Sequence, residues 1–467
     1  MEIKENSEEF RDSISTVSKS GKRIWVYPKK PKGPYHTARS ILAVFLLLFL
    51  FIMPFVKVNG HPFILLNLLE RKFILFGLAF GPHDFYLFVI AFISLVIFIV
   101  LFTAIFGRIF CGWICPQTIF MEMVFRKIEF LIEGDAQQQR KLKEEPWTAS
   151  KIIKKSAKQL IFFSLSFLIA NVFLAFIIGV DELYAIVSVS PIYHLTGFIA
   201  ICLFSGAFYF VFAFFREQAC TIVCPYGRLQ GVLLDKNSLV VAYDNVRGEP
   251  RGKLTRQEES KNGDCIDCKL CVDVCPTGID IRNGIQLECV NCTACIDACD
   301  GVMMKIKKPK GLIRYDSLNG IQEGKRFKIT PRIISYSIVL IILLSVFTTL
   351  LLNRTDYTVN VLRTPGMLYQ DQPGNKISNL YNLYIINKKF DNVNLRLQLL
   401  NVPGEIKILG EELNLRSQQV YEGRFMILLD RNKLDKTLIN IPISIGMYEG
   451  NKEIKIVKTS FLSHIGD

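Results

Sequence analysis

Three observations predict a multi-domain membrane protein: an α-helical bundle of five transmembrane spans, a cysteine-rich insert before the last span, and a C-terminal all-β sandwich. Five runs of the chain are long, apolar and uncharged. Eight of the 13 Cys lie between Cys265 and Cys299, at regular spacing. From residue 354 onward, short alternating runs separated by turn formers replace the long ones.

The apolar runs occupy residues 40–56, 85–107, 160–180, 193–215 and 333–353. A spanning helix needs roughly 17–25 such residues, so the first run is the shortest that qualifies. Half of the 467 residues are hydrophobic and 36 are Phe, which fits the membrane class better than the soluble one. Residues 1–38 are polar and no small-residue cleavage site follows the first run. The first helix is therefore expected to stay as an anchor. Residues 57–84 hold two apolar stretches, 62–69 and 73–82, each too short to span. Interfacial segments, partial re-entry and an ordinary folded loop are all open for them.

Charge sets the expected orientation. The formal net charge is +14. Lys and Arg crowd the N-terminal segment, the loop 108–159 and the segment 216–332, which carries Lys325, Arg326 and Lys328 near its end. The loop 181–192 has none, and residues 57–84 have only Lys57, Arg71 and Lys72. Positive loops mark the cytoplasmic side, so five spans with the N-terminus inside agree with every loop. The basic balance is then explained by membrane lipid and topology, and no nucleic-acid partner is expected. The expected organisation is a cytoplasmic segment at 1–39, four spans within 40–225, and a cytoplasmic region at 226–332 whose cysteine insert covers about 255–305. The fifth span follows at 333–353 and the outer sandwich at 354–467. That last part offers about seven strands, near 357–362, 382–386, 394–400, 406–409, 419–428, 438–447 and 453–462, and has no Cys.

The insert reads Cys265-x2-Cys268-x2-Cys271-x3-Cys275-Pro276, then Cys289-x2-Cys292-x2-Cys295-x3-Cys299. This is the arrangement of bacterial two-cluster ferredoxins, in which three Cys curl around one cubane and the fourth ligand comes from the other motif. One [4Fe–4S] cluster is expected on Cys265, Cys268, Cys271 and Cys299, and a second on Cys289, Cys292, Cys295 and Cys275. Paired zinc sites would need two CxxC-type pairs each, which this pattern does not match. Asp300 stands where Pro usually follows the last Cys, which puts the local turn in question but not the ligation.

A second constellation is Cys111-Gly-Trp-Ile-Cys115-Pro116 after the second run and Cys220-Thr-Ile-Val-Cys224-Pro225 after the fourth. The repeat of span plus Cys-x3-Cys-Pro puts four thiols on the inner side, beside the insert. Each Pro disfavours a helical residue before it, so a tight turn with a new helix starting at each Pro is expected. The four Cys are candidate redox or catalytic residues. A soft metal such as Cu(I), another iron site, a dithiol–disulfide couple and plain apolar packing all fit four thiols there. Cys202, inside a span, reads as packing. His61, His83 and His194 do not form facing pairs within spans, as a membrane haem would need. His36 and His464 belong to no pattern.

With these residues in hand, the chain resembles the cytochrome c oxidase accessory proteins CcoG, also called FixG, a family of membrane polyferredoxins. The resemblance rests on Trp25-Val26-Tyr27-Pro28, on Cys111 through Thr118, on Glu217 through Arg228, and on the order of insert, last span and tail. It implies an inserted two-cluster ferredoxin-like domain and a C-terminal immunoglobulin-like sandwich. It also implies help in assembling a cbb-type oxidase, with reduction of Cu(II) to Cu(I) as the chemistry. Oxidase subunits or copper chaperones, and an electron donor the sequence does not name, would be the partners. The bacterial inner membrane would be the location, with the ferredoxin domain cytoplasmic and the tail periplasmic. The NapH-like quinol-oxidising ferredoxins share the Cys-x3-Cys-Pro pairs and supply an alternative, and a non-catalytic assembly scaffold is another.

Overall fold

In lipid, an apolar run satisfies its backbone only by closing helical hydrogen bonds within itself. In the computed structural model, which describes residues 15–18, 20–69, 71–253, 262–324, 330–433 and 439–463, all five runs do so. The helices are Pro34–Phe55, Pro82–Phe106, Ala149–Ile178, Leu195–Phe215 and Pro331–Leu352. Lys325, Arg326, Lys328 and His464 lie outside the described residues. The third helix begins well before residue 160, because Thr148 caps it by accepting a hydrogen bond from the Lys151 N–H at 3.3 Å. Lys155 and Lys158 thus project from a helix rather than a loop. The described residues of 57–81 include short strands: Lys57–Val58 pairs with His61–Pro62, and Lys72–Leu75 with Leu78–Phe80. They are a folded loop rather than a re-entrant helix.

The chain divides into two units, residues 1–67 with 88–346, and residues 68–87 with 347–467. In the first, helices Leu270–Asp273 and Ala294–Lys305 pack on an antiparallel pair, Val240–Tyr243 with Ile313–Asp316. Val241, Ile281, Ile296, Met303 and Leu312 form the core between them. This pair brackets the insert on both sides, so the folded piece is wider than the cysteine pattern. It is also tied to the second span. Leu239 N–H donates to Ile105 C=O at 2.9 Å, and the Ser238 hydroxyl donates to Ala104 C=O at 2.8 Å. Asp300, in place of Pro, lets the second helix run on to Lys305, and its carboxylate accepts the Gly311 N–H at 2.8 Å.

In the second unit, two antiparallel sheets pack face to face. One has the order Gly404–Leu409, Val420–Asp430, Lys376–Asn387, Tyr357–Arg363, with Gln370–Gln372 alongside Lys376–Asn387. The other has the order Asn414–Leu415, Val393–Leu399, Asn440–Glu449, Lys452–Leu462. Alternation puts Tyr381, Ile385, Phe425, Ile427, Met447 and Phe461 inside, all fully buried. All seven expected strands are present, and two short ones join them.

Candidate functional site

Each CxxCxxC loop turns through two left-handed residues that flank its second Cys. In the first loop these are Asp267 and Lys269, with φ of 49° and 57°; in the second they are Asn291 and Thr293, with φ of 52° and 66°. Such backbone is uncommon away from Gly and persists only where the surroundings impose it. Here it wraps the chain around a cavity. Cys265, Cys268, Cys271 and Cys299 line one cavity. Cys275, Cys289, Cys292 and Cys295 line another, with Cys271 on the wall common to both. Each set draws three thiols from one motif and the fourth from the other.

The surroundings fit an iron–sulfur cluster. Burial pushes the Cys271, Cys289 and Cys299 thiols up to about 12, and Cys292 to about 11. Thiols held this way become thiolates only beside strong positive charge, which a metal centre supplies. The thiols line the walls of two cavities, the arrangement that a multi-iron cubane with four thiolate ligands occupies. Replacing Cys268 by Ala is expected to remove or damage one of the two clusters. Labile sulfide and iron should fall by about half, from about eight iron per chain, while the protein still inserts. Unchanged sulfide would refute the assignment.

The four remaining motif thiols also come together. Pro116 opens a helix with Cys115 at its cap, and Pro225 opens Pro225–Leu233 with Cys224 at its cap. Burial pushes the Cys220 thiol up to about 12, and Cys115, Cys111 and Cys224 add to the rise through their proximity. Burial likewise brings Cys111 to about 11. Gln230, fully buried on the helix that Pro225 opens, accepts from the Cys111 thiol at 3.2 Å and from Arg108 Nε at 3.0 Å. Gly112 explains the middle of the first pair: a Cβ there would lie 2.5 Å from the Val290 carbonyl. Gly112, between Cys111 and Cys115, is thus pressed onto the Cys289–Cys292 loop, which lines the second cavity. Cys202 is apart from this group, in its span.

Three features escape the motif reading. Arg108 follows the second span and Arg216 the fourth, and both are buried. Arg216 grips Glu129 through two bonds of 2.8 and 2.7 Å, and Glu129 also faces Lys158 at 3.5 Å. Glu133 takes Lys155 and Lys158 at 2.8 and 2.9 Å. The signal in the sequence was a charge directly after an apolar span, a position that tolerates burial only with a partner. The third feature is Asp297, between two cluster Cys. Its carboxylate accepts the N–H groups of Tyr35 and His36 at 3.2 and 2.7 Å, capping the first span.

Comparison with known proteins follows the same division. Residues 215–318 match a 4Fe-4S dicluster domain, residues 88–133 a 4Fe-4S binding domain, and residues 347–464 the IG-like fold at the C-terminal of FixG. The chain is 35% identical to Protein RdxA of Cereibacter sphaeroides over 64% of its own length and 63% of RdxA's. It is 34% identical to Nitrogen fixation protein FixG of Rhizobium meliloti, over 64% of this chain and 58% of that one. Protein RdxB of Cereibacter sphaeroides is 32% identical over 80% of this chain and 81% of that one. The chain thus spans under two thirds of the first two relatives' length and four fifths of the third's.

Proposed function

The chain belongs to the FixG family of membrane-bound [4Fe–4S] electron-transfer proteins, and from that premise we propose that it reduces Cu(II) to Cu(I) for a cbb-type cytochrome c oxidase under assembly. The observation that carries this reading is the group of four neighbouring thiols, whose first pair flanks a Gly112 pressed onto the loop of the second cluster motif. Cys265, Cys268, Cys271 and Cys299 would hold one cluster, and Cys275, Cys289, Cys292 and Cys295 the other. When bound, these groups supply one-electron chemistry. Cys111, Cys115, Cys220 and Cys224 would bind the copper. Thiolates favour Cu(I) over Cu(II), so binding there makes uptake of one electron easier. An electron donor and a copper chaperone or oxidase subunit complete the partners. The test is anaerobic purification, reduction, and a Cu(II) assay read beside the cluster EPR signal. One Cu(I) should form for each electron lost, and no Cu(I) would overturn the reading.

The match of residues 88–133 to a 4Fe-4S binding domain favours a second reading, in which the same thiols hold iron. Metal content separates the two: about twelve iron per chain in place of about eight, and no copper uptake.

For orientation, we propose that the chain spans the bacterial inner membrane with the ferredoxin domain on the cytoplasmic side and the sandwich in the periplasm. A reporter fused after Asn353 should read external and one at Gly263 internal. The reverse at either point would refute this arrangement.

A further inference from the structure

A basic cavity at the start of the first span has no part in the electron path above. Lys30, Arg39 and Lys127 line it, with Met123 and Leu131 as apolar wall. Arg126 and Glu122 also face it, but they pair with each other at 3.1 Å, and Arg126 leans toward Glu129. His36 is the remaining titratable neighbour, and its backbone N–H is already held by Asp297. Among the described residues, Lys30, Arg39 and Lys127 pair with no carboxylate, and Glu122 on the same wall is taken by Arg126. Arg39 is the telling one. It is 4% exposed, and its Nε and Nη2 find no hydrogen-bond partner among the described residues. Arg39 also lies near Cys292, whose thiolate its charge favours; with Nε and Nη2 still unpartnered, burying the guanidinium is costly, and the site suits an anion. Burial lowers Lys127, and Arg39 and Lys30 lower it further through repulsion, which places the three charges in one space.

We propose that this cavity binds a phosphate group, with Arg39, Lys127 and Lys30 donating to its oxygens. Arg39 offers the planar fork that suits phosphate, and the two Lys add point charges. The phosphate could come from an anionic phospholipid headgroup or from solution. The apolar surroundings favour the lipid. Leu131, at the rim, is 83% exposed. Acyl chains would lie against it while the headgroup enters the cavity. The site would then fasten the inner end of the first span to the anionic leaflet. This inference does not depend on the copper reading.

The test uses the full chain in neutral detergent, stripped of lipid, titrated calorimetrically with three probes. These are short-chain phosphatidylglycerol, phosphatidylcholine of the same chain length, and inorganic phosphate. Phosphatidylglycerol should bind at one site. Arg39→Gln and Lys127→Gln should each weaken it by about tenfold or more, the worth of one charge-assisted hydrogen bond. Lys141→Gln, on an exposed side chain, should not. If phosphatidylglycerol binds and inorganic phosphate does not, the source is lipid. If inorganic phosphate also binds and both variants lose it, the soluble ion suffices, and the site is still a phosphate site. Binding of neither probe overturns the proposal. So does phosphatidylcholine binding as tightly as phosphatidylglycerol, or full affinity in Lys127→Gln, a half-buried position whose loss the fold should tolerate.

Discussion

Replacing Glu129 by Gln is expected to destabilise the protein by about 3–5 kcal/mol, the cost of leaving a buried cation without its partner. Glu129 is 2% exposed and holds Arg216 through two short bonds, with Lys158 and Arg126 also facing it. An amide keeps the shape but not the charge, so Arg216, Arg126 and Lys158 lose their shared carboxylate, and Arg216 keeps only the longer contact with Glu217 at 3.7 Å. The loss should reach the thiols. Arg216 has a φ of 53°, a strained conformation fixed by this grip, and Cys220 follows one turn later. A lower midpoint of thermal aggregation in detergent is the first readout, and a disturbed Cys220 environment the second. The double variant Glu129→Gln/Arg216→Gln should recover part of the loss, because no lone guanidinium remains. A single variant as stable as the wild type would show that Glu217, 3.7 Å from Arg216, compensates it alone. The pH dependence follows from the same contacts. Burial alone would raise the Glu129 carboxyl, but Arg216, Arg126 and Lys158 outweigh it and hold it at about 2. Its folded value lies below its ordinary 4.5, so the contribution is complete above about 4.5 and fades as pH falls from there toward 2.

What the sequence made legible depended on how far each signal reaches along the chain. The spans and the two cluster loops are local patterns: an apolar run admits one conformation in lipid, and Cys three apart must share a loop. The strands of the sandwich were likewise readable from alternation and turns. The start of the third helix at Ala149 was not. Its first turns carry Lys151, Lys154, Lys155 and Lys158, and hydropathy cannot tell a helical Lys from a looped one. Residues 57–81 looked undecided because four-residue strands and short apolar dips have the same composition. The partners of Glu129, Arg108 and Asp297 lie 87, 122 and about 262 residues away. Nothing in a single sequence connects charges at such separations. The four thiols fell in between: repetition hinted that they belong together, and only the fold brings the two pairs near one another.

That convergence gives the second large effect. Cys115→Ser and Cys224→Ser are each expected to cut Cu(II) reduction by about a hundredfold or more. A serine hydroxyl is a hard, neutral ligand that holds Cu(I) poorly, and even supporting groups around a metal are worth about 10–100-fold. The double variant should be no worse than either single one, because residues that act as one site lose their function once. Cys115 caps one helix and Cys224 caps the other, so each variant tests a different chain segment of the same site. Both proteins should insert and keep the EPR signals of two clusters, since Cys265 through Cys299 line other cavities. Cys202→Ser, in its span, should reduce copper normally. If both single variants keep wild-type reduction, the thiols serve packing and copper must meet the clusters directly. If the two losses instead multiply in the double variant, the pairs act independently, and the single four-thiol site is wrong.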